Sequence, residues 1–252
     1  QPLPPDEPVA DDEGVEPILR ALEDVYPGLE LTTLPARVGV TELKRRWDAT
    51  LDPEQQPRCD RSAEMSPRPL FLAPAASPSA ADRGIATHRF LQLVDLRRPC
   101  DPGDLPRQCL DMVQQGRLTH DQADLVSLDA VAWFFTTDLG RRLRADPAAV
   151  EREVAFVSRV PPDRLDPTAT PRDDRDCVLL RGMVDVVFSA PDGLEIIDYK
   201  TDAVPADRCA SRAADYRSQM EAYAEAIARI YRRQVRRRHL VFLTARQVVA
   251  SA

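Results

Sequence analysis

Residues 178–200 read VLLRGMVDVVFSAPDGLEIIDYK, and their pattern decides the fold. Two runs rich in Val, Ile and aromatics, 178–190 and 194–200, flank Pro191-Asp192-Gly193. Asp-Gly between such runs is a strong hairpin signal, so they are predicted to pair as antiparallel strands. Side chains alternate faces along a strand, which puts Asp198 and Lys200 on one face. With a two-residue loop at Asp192-Gly193, Asp185 lies opposite Lys200, and Asp198 is its diagonal neighbour. A three-residue loop would bring Tyr199 to that face instead and break the set. The other face of the first strand carries Val178, Leu180, Val184, Val186 and Phe188, a core surface.

Lys200 is unusual in this chain. It is one of two lysines, with Lys44, among 34 basic side chains. Arginine is a planar fork that stays charged; lysine is a compact point charge that can shift its pKa and hold a water. Carboxylates held close together repel one another unless a cation sits between them. Oxygen ligands with few other donors favour Mg²⁺ or Mn²⁺. A metal there would polarise a phosphate, with Lys200 orienting or deprotonating the attacking water. The same residues would equally make a plain cross-strand ion pair, and by themselves they do not separate the two readings.

Outward from the hairpin the pattern is mixed. Residues 151–159 alternate like a strand, 212–231 form an amphipathic helix, and 239–244 a last strand. Upstream the chain reads as helical: 83–96, 105–116, 120–135 and 137–145, with Thr119 and Gln122 as a capping box. Thr41-Glu42-Leu43-Lys44 reads as a helix start. Residues 1–14 are Pro-rich and acidic and are expected to be disordered, with a short helix near 15–25. The Pro-, Ser- and Ala-rich stretch 52–82 is expected to be a long loop. The fold class is therefore α/β, a mixed central sheet flanked by helices. A mainly helical portion spans 15–150 and a catalytic α/β core spans 151–252.

Composition bounds the rest. The chain has 252 residues, 43% hydrophobic, with a net charge of −7. That charge argues against coating DNA with the whole surface, though not against a local basic groove. The run Arg232, Arg233, Arg236, Arg237, Arg238 reads either as a phosphate grip or, with no interleaved aromatics to stack bases, as solvated charge at a helix C-terminus. There is no long uncharged apolar run and no signal-peptide pattern, so no membrane association is expected. Five cysteines show no C-x-x-C spacing and read as reduced thiols rather than a disulfide framework, zinc site or iron–sulfur cluster. His120 is expected to be exposed, and His239 to have no role. Opening at Gln1, the chain is expected to be a piece of a longer polypeptide.

Several stretches together resemble one family. They are Gly182-Met183-Val184-Asp185, then Asp198-Tyr199-Lys200-Thr201-Asp202, then Tyr216 and Gln219-x-x-x-Tyr223. Upstream come Val40-Thr41-Glu42-Leu43-Lys44, Gly84-Ile85-Ala86-Thr87-His88 and Arg152-Glu153-Val154-Ala155-Phe156. In this order, over roughly residues 25–245, they resemble the RecB-family nuclease domain of the PD-(D/E)XK superfamily. The stretch Gly116 to Thr119, with Phe134-Phe135 and Leu139-Gly140, is similar to the AddA type of bacterial helicase–nuclease. Ile85 departs from that family's usual threonine.

The resemblance implies a restriction-endonuclease-like core and hydrolysis of single-stranded DNA during double-strand break processing. It implies that His88, Asp185, Asp198 and the Tyr199 carbonyl hold Mg²⁺ or Mn²⁺, and that Lys200 is the catalytic lysine. Gln219, Tyr223 and Tyr216 would line the site and contact DNA; Glu153 is a candidate accessory acid. The implied partners are a helicase motor elsewhere in the same polypeptide and a separate AddB-like protein. The implied setting is the bacterial cytoplasm, at the nucleoid during repair. No G-x-x-x-x-G-K-[S/T] loop occurs in the chain, so the motor is not in it. Two other readings stand beside this one: a nuclease-fold module that guides a strand without cutting, and a metal-dependent hydrolase of another substrate.

Overall fold

A computed structural model describes residues 29–43, 78–173 and 175–251. The expected disordered lead, the short helix near 15–25, Lys44 and most of the 52–82 loop lie outside these residues. Contacts divide the described chain into two units. The smaller comprises residues 29–37 and 159–178, with 3₁₀ turns at Leu29–Thr33 and Pro162–Arg164. Within it Asp166 accepts from the backbone and hydroxyl of Thr168, closing a local turn. The larger unit holds 38–158 and 179–251 and carries the core.

The strands are β1 (Arg37–Gly39), β2 (Val150–Val160), β3 (Val178–Ala190), β4 (Gly193–Lys200), β5 (Val235–Phe242) and β6 (Gln247–Ser251). They form one sheet in the order β1-β3-β4-β5-β6, with β2 also pairing with β3. The helices are α1 (Ala80–Leu93), α2 (Leu105–Gln114), α3 (His120–Leu125), α4 (Leu128–Thr136), α5 (Asp138–Ala145), α6 (Cys209–Ala214) and α7 (Arg217–Tyr231). No helix among the described residues is long and apolar enough to cross a membrane.

β3 and β4 form the expected hairpin, but its loop is Pro191-Asp192 rather than Asp192-Gly193. Ala190 pairs with Gly193, and the register runs on to Val186 opposite Ile197. Gly193 starts the strand because its φ is 153° and a Cβ there would meet Gln234 O at 2.8 Å. That carbonyl accepts the Leu194 N–H, so the glycine lets β5's lead-in close on the turn. The register therefore differs by two from the expected one. A shift of two keeps every side chain on its face. Continued by one residue, it sets Asp185 across from Asp198, not Lys200.

β4 and β5 run parallel, joined by the crossover through α6 and α7. α7 lies against β4 and β5 on the face that carries Asp198. The opposite face supplies Val186, Phe188, Ile197, Tyr199, Val241 and Leu243 to the same core as Phe90, Phe134 and Leu143 of the helical portion. The helical portion and the sheet thus share one hydrophobic interior.

Several boundaries moved. α1 begins at Ala80, inside the expected loop, because Ser79 and Asp82 form a capping box. The expected 120–135 helix is two. The Thr119–Gln122 box starts the first, and the second restarts at Ser127, whose carbonyl accepts from Ala130 and Val131. The expected 212–231 helix is also two, interrupted at Asp215 and Tyr216. The last strand begins at Val235, so Arg236, Arg237 and Arg238 lie in it, and β6 was not foreseen. Cys100, Cys109, Cys177 and Cys209 are free thiols, as expected.

Candidate active site

His88 comes from the third turn of α1, and both ends of that helix are fixed. At its start Asp82 N–H donates to Ser79 Oγ at 3.1 Å, and Ser79 N–H donates to Asp82 Oδ2 at 2.8 Å. At its end the Arg152 guanidinium donates to Leu91 O at 3.2 Å and Val94 O at 2.6 Å. A cation on the last carbonyls of a helix is favourably placed against its dipole. The next residue, Glu153, has φ 53°, a left-handed conformation rare for glutamate and costing on the order of 1–3 kcal/mol. So one dipeptide of β2 anchors the helix that bears His88 and presents a carboxylate to it.

His88, Glu153 and Asp185 each offer a ligand atom, all within 4.8 Å of one another. His88 Nδ1 lies 3.3 Å from Asp185 Oδ1. The other Asp185 oxygen, Oδ2, accepts the Tyr199 backbone N–H at 2.7 Å. Asp198 is 3% exposed, and its two oxygens face different partners. Oδ2 lies 2.6 Å from Lys200 Nζ, and Oδ1 accepts from Gln219 Nε2 at 3.3 Å. Gln219 also donates to Tyr223 OH at 3.0 Å. Gln219 and Tyr223 share one face of α7, four residues apart. Tyr223 is held from behind by Phe156, edge-on at 5.8 Å between centroids. Phe156 in turn occupies the space at Gly182, where a Cβ would fall 2.6 Å from its ring.

The charges are out of balance in one direction. Burial pushes the Asp198 carboxyl up, the Lys200 charge pulls it down and the Asp185 charge pushes it up again, leaving it raised. Burial raises Glu153, and the Asp185 charge adds to that. Burial alone would lower His88, but its hydrogen bond to Asp185 and the charges of Asp185, Asp198 and Glu153 leave it raised. Acids pushed up by burial and by one another gain most from a cation. One imidazole nitrogen and two carboxylate oxygens within a few ångström are a donor set that fits a divalent ion.

The expected site residues are thus brought together, with differences in detail. Glu153 stands inside the three-donor group. Asp198 has its carboxylate on Lys200 and Gln219, beside that group. Tyr216 precedes α7; its hydroxyl donates to Asp202 Oδ2 at 2.7 Å, and its ring lies under Lys200 Nζ at 4.1 Å. It is therefore a support for the lysine, a role that no helix-face argument could have found.

Arg152 was also missed as an anchor, as was the network around Glu195. Glu195 is fully buried and meets Arg142, Arg237 Nη1 at 2.7 Å and His239 Nε2 at 2.8 Å. Burial would raise its carboxyl, but these three partners outweigh it and hold the pKa at about 2. The arginine run is neither a solvated helix end nor a free basic patch. Arg233 donates to Ala190 O at 2.9 Å, Arg236 to Asp192 O at 3.3 Å, and Arg237 to Asp192 Oδ2 at 3.1 Å, so the run ties down the hairpin turn. His239 is buried on Glu195, contrary to expectation, and His120 is exposed.

A central sheet with an Asp-x-Lys strand end, an opposed aspartate and a cation-hungry donor group is the layout of a metal-dependent nuclease. The chain belongs to the PD-(D/E)XK nuclease superfamily, whose sequence pattern matches residues 58–250. Nucleases of this superfamily use divalent metals. Among curated proteins the chain is similar to the A subunit of the ATP-dependent helicase/nuclease of Moorella thermoacetica, 36% identical over 90% of this chain and 16% of that one. The corresponding protein of Pelotomaculum thermopropionicum is 34% identical over 95% of this chain and 19% of its own length. That of Lacticaseibacillus casei is 34% identical over 96% and 20%. The chain spans a fifth or less of the length of these relatives.

Proposed function

We propose that this chain is the nuclease domain of a bacterial helicase–nuclease and hydrolyses phosphodiester bonds of single-stranded DNA with Mg²⁺, Mn²⁺ being able to substitute. The observation that carries this is the Lys200 ammonium, clamped between Asp198 Oδ2 and the Tyr216 ring, beside His88, Glu153 and Asp185. His88, Asp185 and Glu153 hold the metal, and Asp198 and the Tyr199 carbonyl complete its surroundings. When bound, the ion supplies positive charge against a phosphate oxygen and makes a bound water more acidic. Lys200 orients the attacking water and steadies the charge it develops. Gln219 and Tyr223 fix the Asp198 carboxylate and face the strand.

The substrate and setting follow from the relatives' names and their greater length. In this reading the domain sits at the end of a helicase motor in one longer polypeptide, pairs with an AddB-like protein, and works in the cytoplasm at the nucleoid. There it trims single strands at double-strand breaks as an exonuclease.

The test is incubation of the purified chain with labelled single-stranded DNA and Mg²⁺, beside folded Lys200→Ala and Asp198→Ala variants. Cutting by the parent alone, abolished by chelator, is expected. A parent that binds DNA without cutting in this and in a motor-linked form points to a strand-guiding module. Equal cutting by all three proteins moves the chemistry elsewhere.

A further inference from the structure

One stripe of α1 has no packing role. Ile85, His88, Arg89 and Gln92 recur at steps of three and four, so they share a side of the helix. Ala86, Phe90 and Leu91 face the core. The outward stripe, with Gly84 and Glu153, lines a cavity of about 470 Å³. Two of the three donor residues, His88 and Glu153, form part of its wall. A volume of this size lies within the roughly 300–1,000 Å³ usual for small-molecule sites.

The lining is chemically specific. Ile85 is a large apolar side chain 63% exposed beside a cluster of charges. Arg89 is exposed and gives one N–H to Gln92 Oε1 at 2.6 Å, which fixes the fork and leaves most of its donors for an anion. The cation of the stripe and its apolar surface are one helical turn apart.

We infer that this cavity seats the nucleotide adjoining the phosphate to be cut, with its own phosphate on Arg89 and its base against Ile85. The inference rests on the nuclease reading of the site. It adds a reason for the strand preference: a base can lie on Ile85 only if its face is free, and in a duplex that face is covered by stacking. Gly84 leaves the entry open, since a Cβ there would already meet Thr201 Oγ1 at 3.0 Å.

Steady-state cutting of single-stranded oligonucleotides tests this in the intact chain. Ile85→Ser and Arg89→Ala are each expected to raise KM about 5- to 20-fold with little change in kcat. Arg89→Lys should recover much of the loss. The slope of log KM against log salt should fall by about 0.7 for Arg89→Ala and stay as in the parent for Ile85→Ser. On a strand of abasic deoxyribose phosphates, Ile85→Ser should match the parent. Unchanged KM in both variants, or an Ile85→Ser penalty that persists on abasic DNA, overturns the subsite while the parent's cutting stands. A parent that cuts no single-stranded DNA overturns the nuclease reading and the subsite with it. A lower kcat together with a lower Tm marks a structural role instead.

Discussion

Asp185 accepts the backbone N–H of Tyr199 through its side chain, at 2.7 Å. The backbone pairing of β3 with β4 runs from Ala190–Gly193 to Val186–Ile197. Just past its end the carboxylate serves as Tyr199's acceptor, while its other oxygen faces His88. One aspartate thus both finishes a strand pair and supplies a ligand. The two jobs can be separated.

Asp185→Asn keeps an acceptor oxygen for Tyr199, whereas Asp185→Ala leaves a buried N–H unpaired. In chelator the Asn variant should unfold near the parent's urea midpoint. The Ala variant should lose about 1–3 kcal/mol. Both should lose Mn²⁺ binding by calorimetry. Equal destabilisation of the two variants would detach the aspartate from the strand end.

Lys200→Ala should lower the cutting rate roughly 10²- to 10⁴-fold, the range for a positioned proton-handling group. Lys200→Arg should not rescue it, because a planar fork fits neither the Asp198 contact nor the seat on Tyr216. DNA binding measured by anisotropy should change far less than cutting. Tyr216→Leu should lower the rate by a smaller factor and leave folding intact.

Metal affinity should depend steeply on pH, since His88 and Glu153 must be deprotonated to bind and both have raised pKa values. Affinity should fall as pH drops through the raised His88 pKa, above 6.5, and fall further toward the glutamate range. Without metal the sign reverses for Glu153. A folded-state pKa above 4.5 means the folded protein binds more protons, so this group's contribution turns unfavourable as pH rises from 4.5 through its folded value. In chelator at neutral pH, Glu153→Gln should therefore be at least as stable as the parent. With Mn²⁺ it should gain less. Thermal melts with and without the ion read both.

Glu195 should matter for stability and not for chemistry. Glu195→Ala leaves Arg142, Arg237 and His239 without their shared anion. The loss expected is at the lower end of about 3–5 kcal/mol, since both guanidinium groups reach water. With its folded pKa near 2 against an ordinary 4.5, its contribution is present above 4.5 and lost as pH falls toward 2. The acid limb of the stability curve should therefore flatten in the variant, with kcat at neutral pH unchanged per folded molecule.

The local sequence determined a good deal here. Alternation in 178–200 fixed which residues share a face, and that survived a hairpin register two residues from the expected one, because parity is unchanged by two. Capping residues set helix starts at Thr119 and, unrecognised within a Pro- and Ser-rich stretch, at Ser79. Motif order was enough to connect His88, Asp185, Asp198, Lys200, Gln219 and Tyr223, which do converge. What the chain alone could not state were relations between distant segments. The left-handed turn at Glu153, the Arg152 hold on the end of α1 and the seat of Lys200 on Tyr216 each depend on where separate elements come to rest. So does the burial of Glu195 and His239, because the partners that make a buried charge tolerable lie 42 to 53 residues away. Local periodicity and capping act within a turn or a strand; packing and electrostatics act through space, and only the folded chain sets those distances.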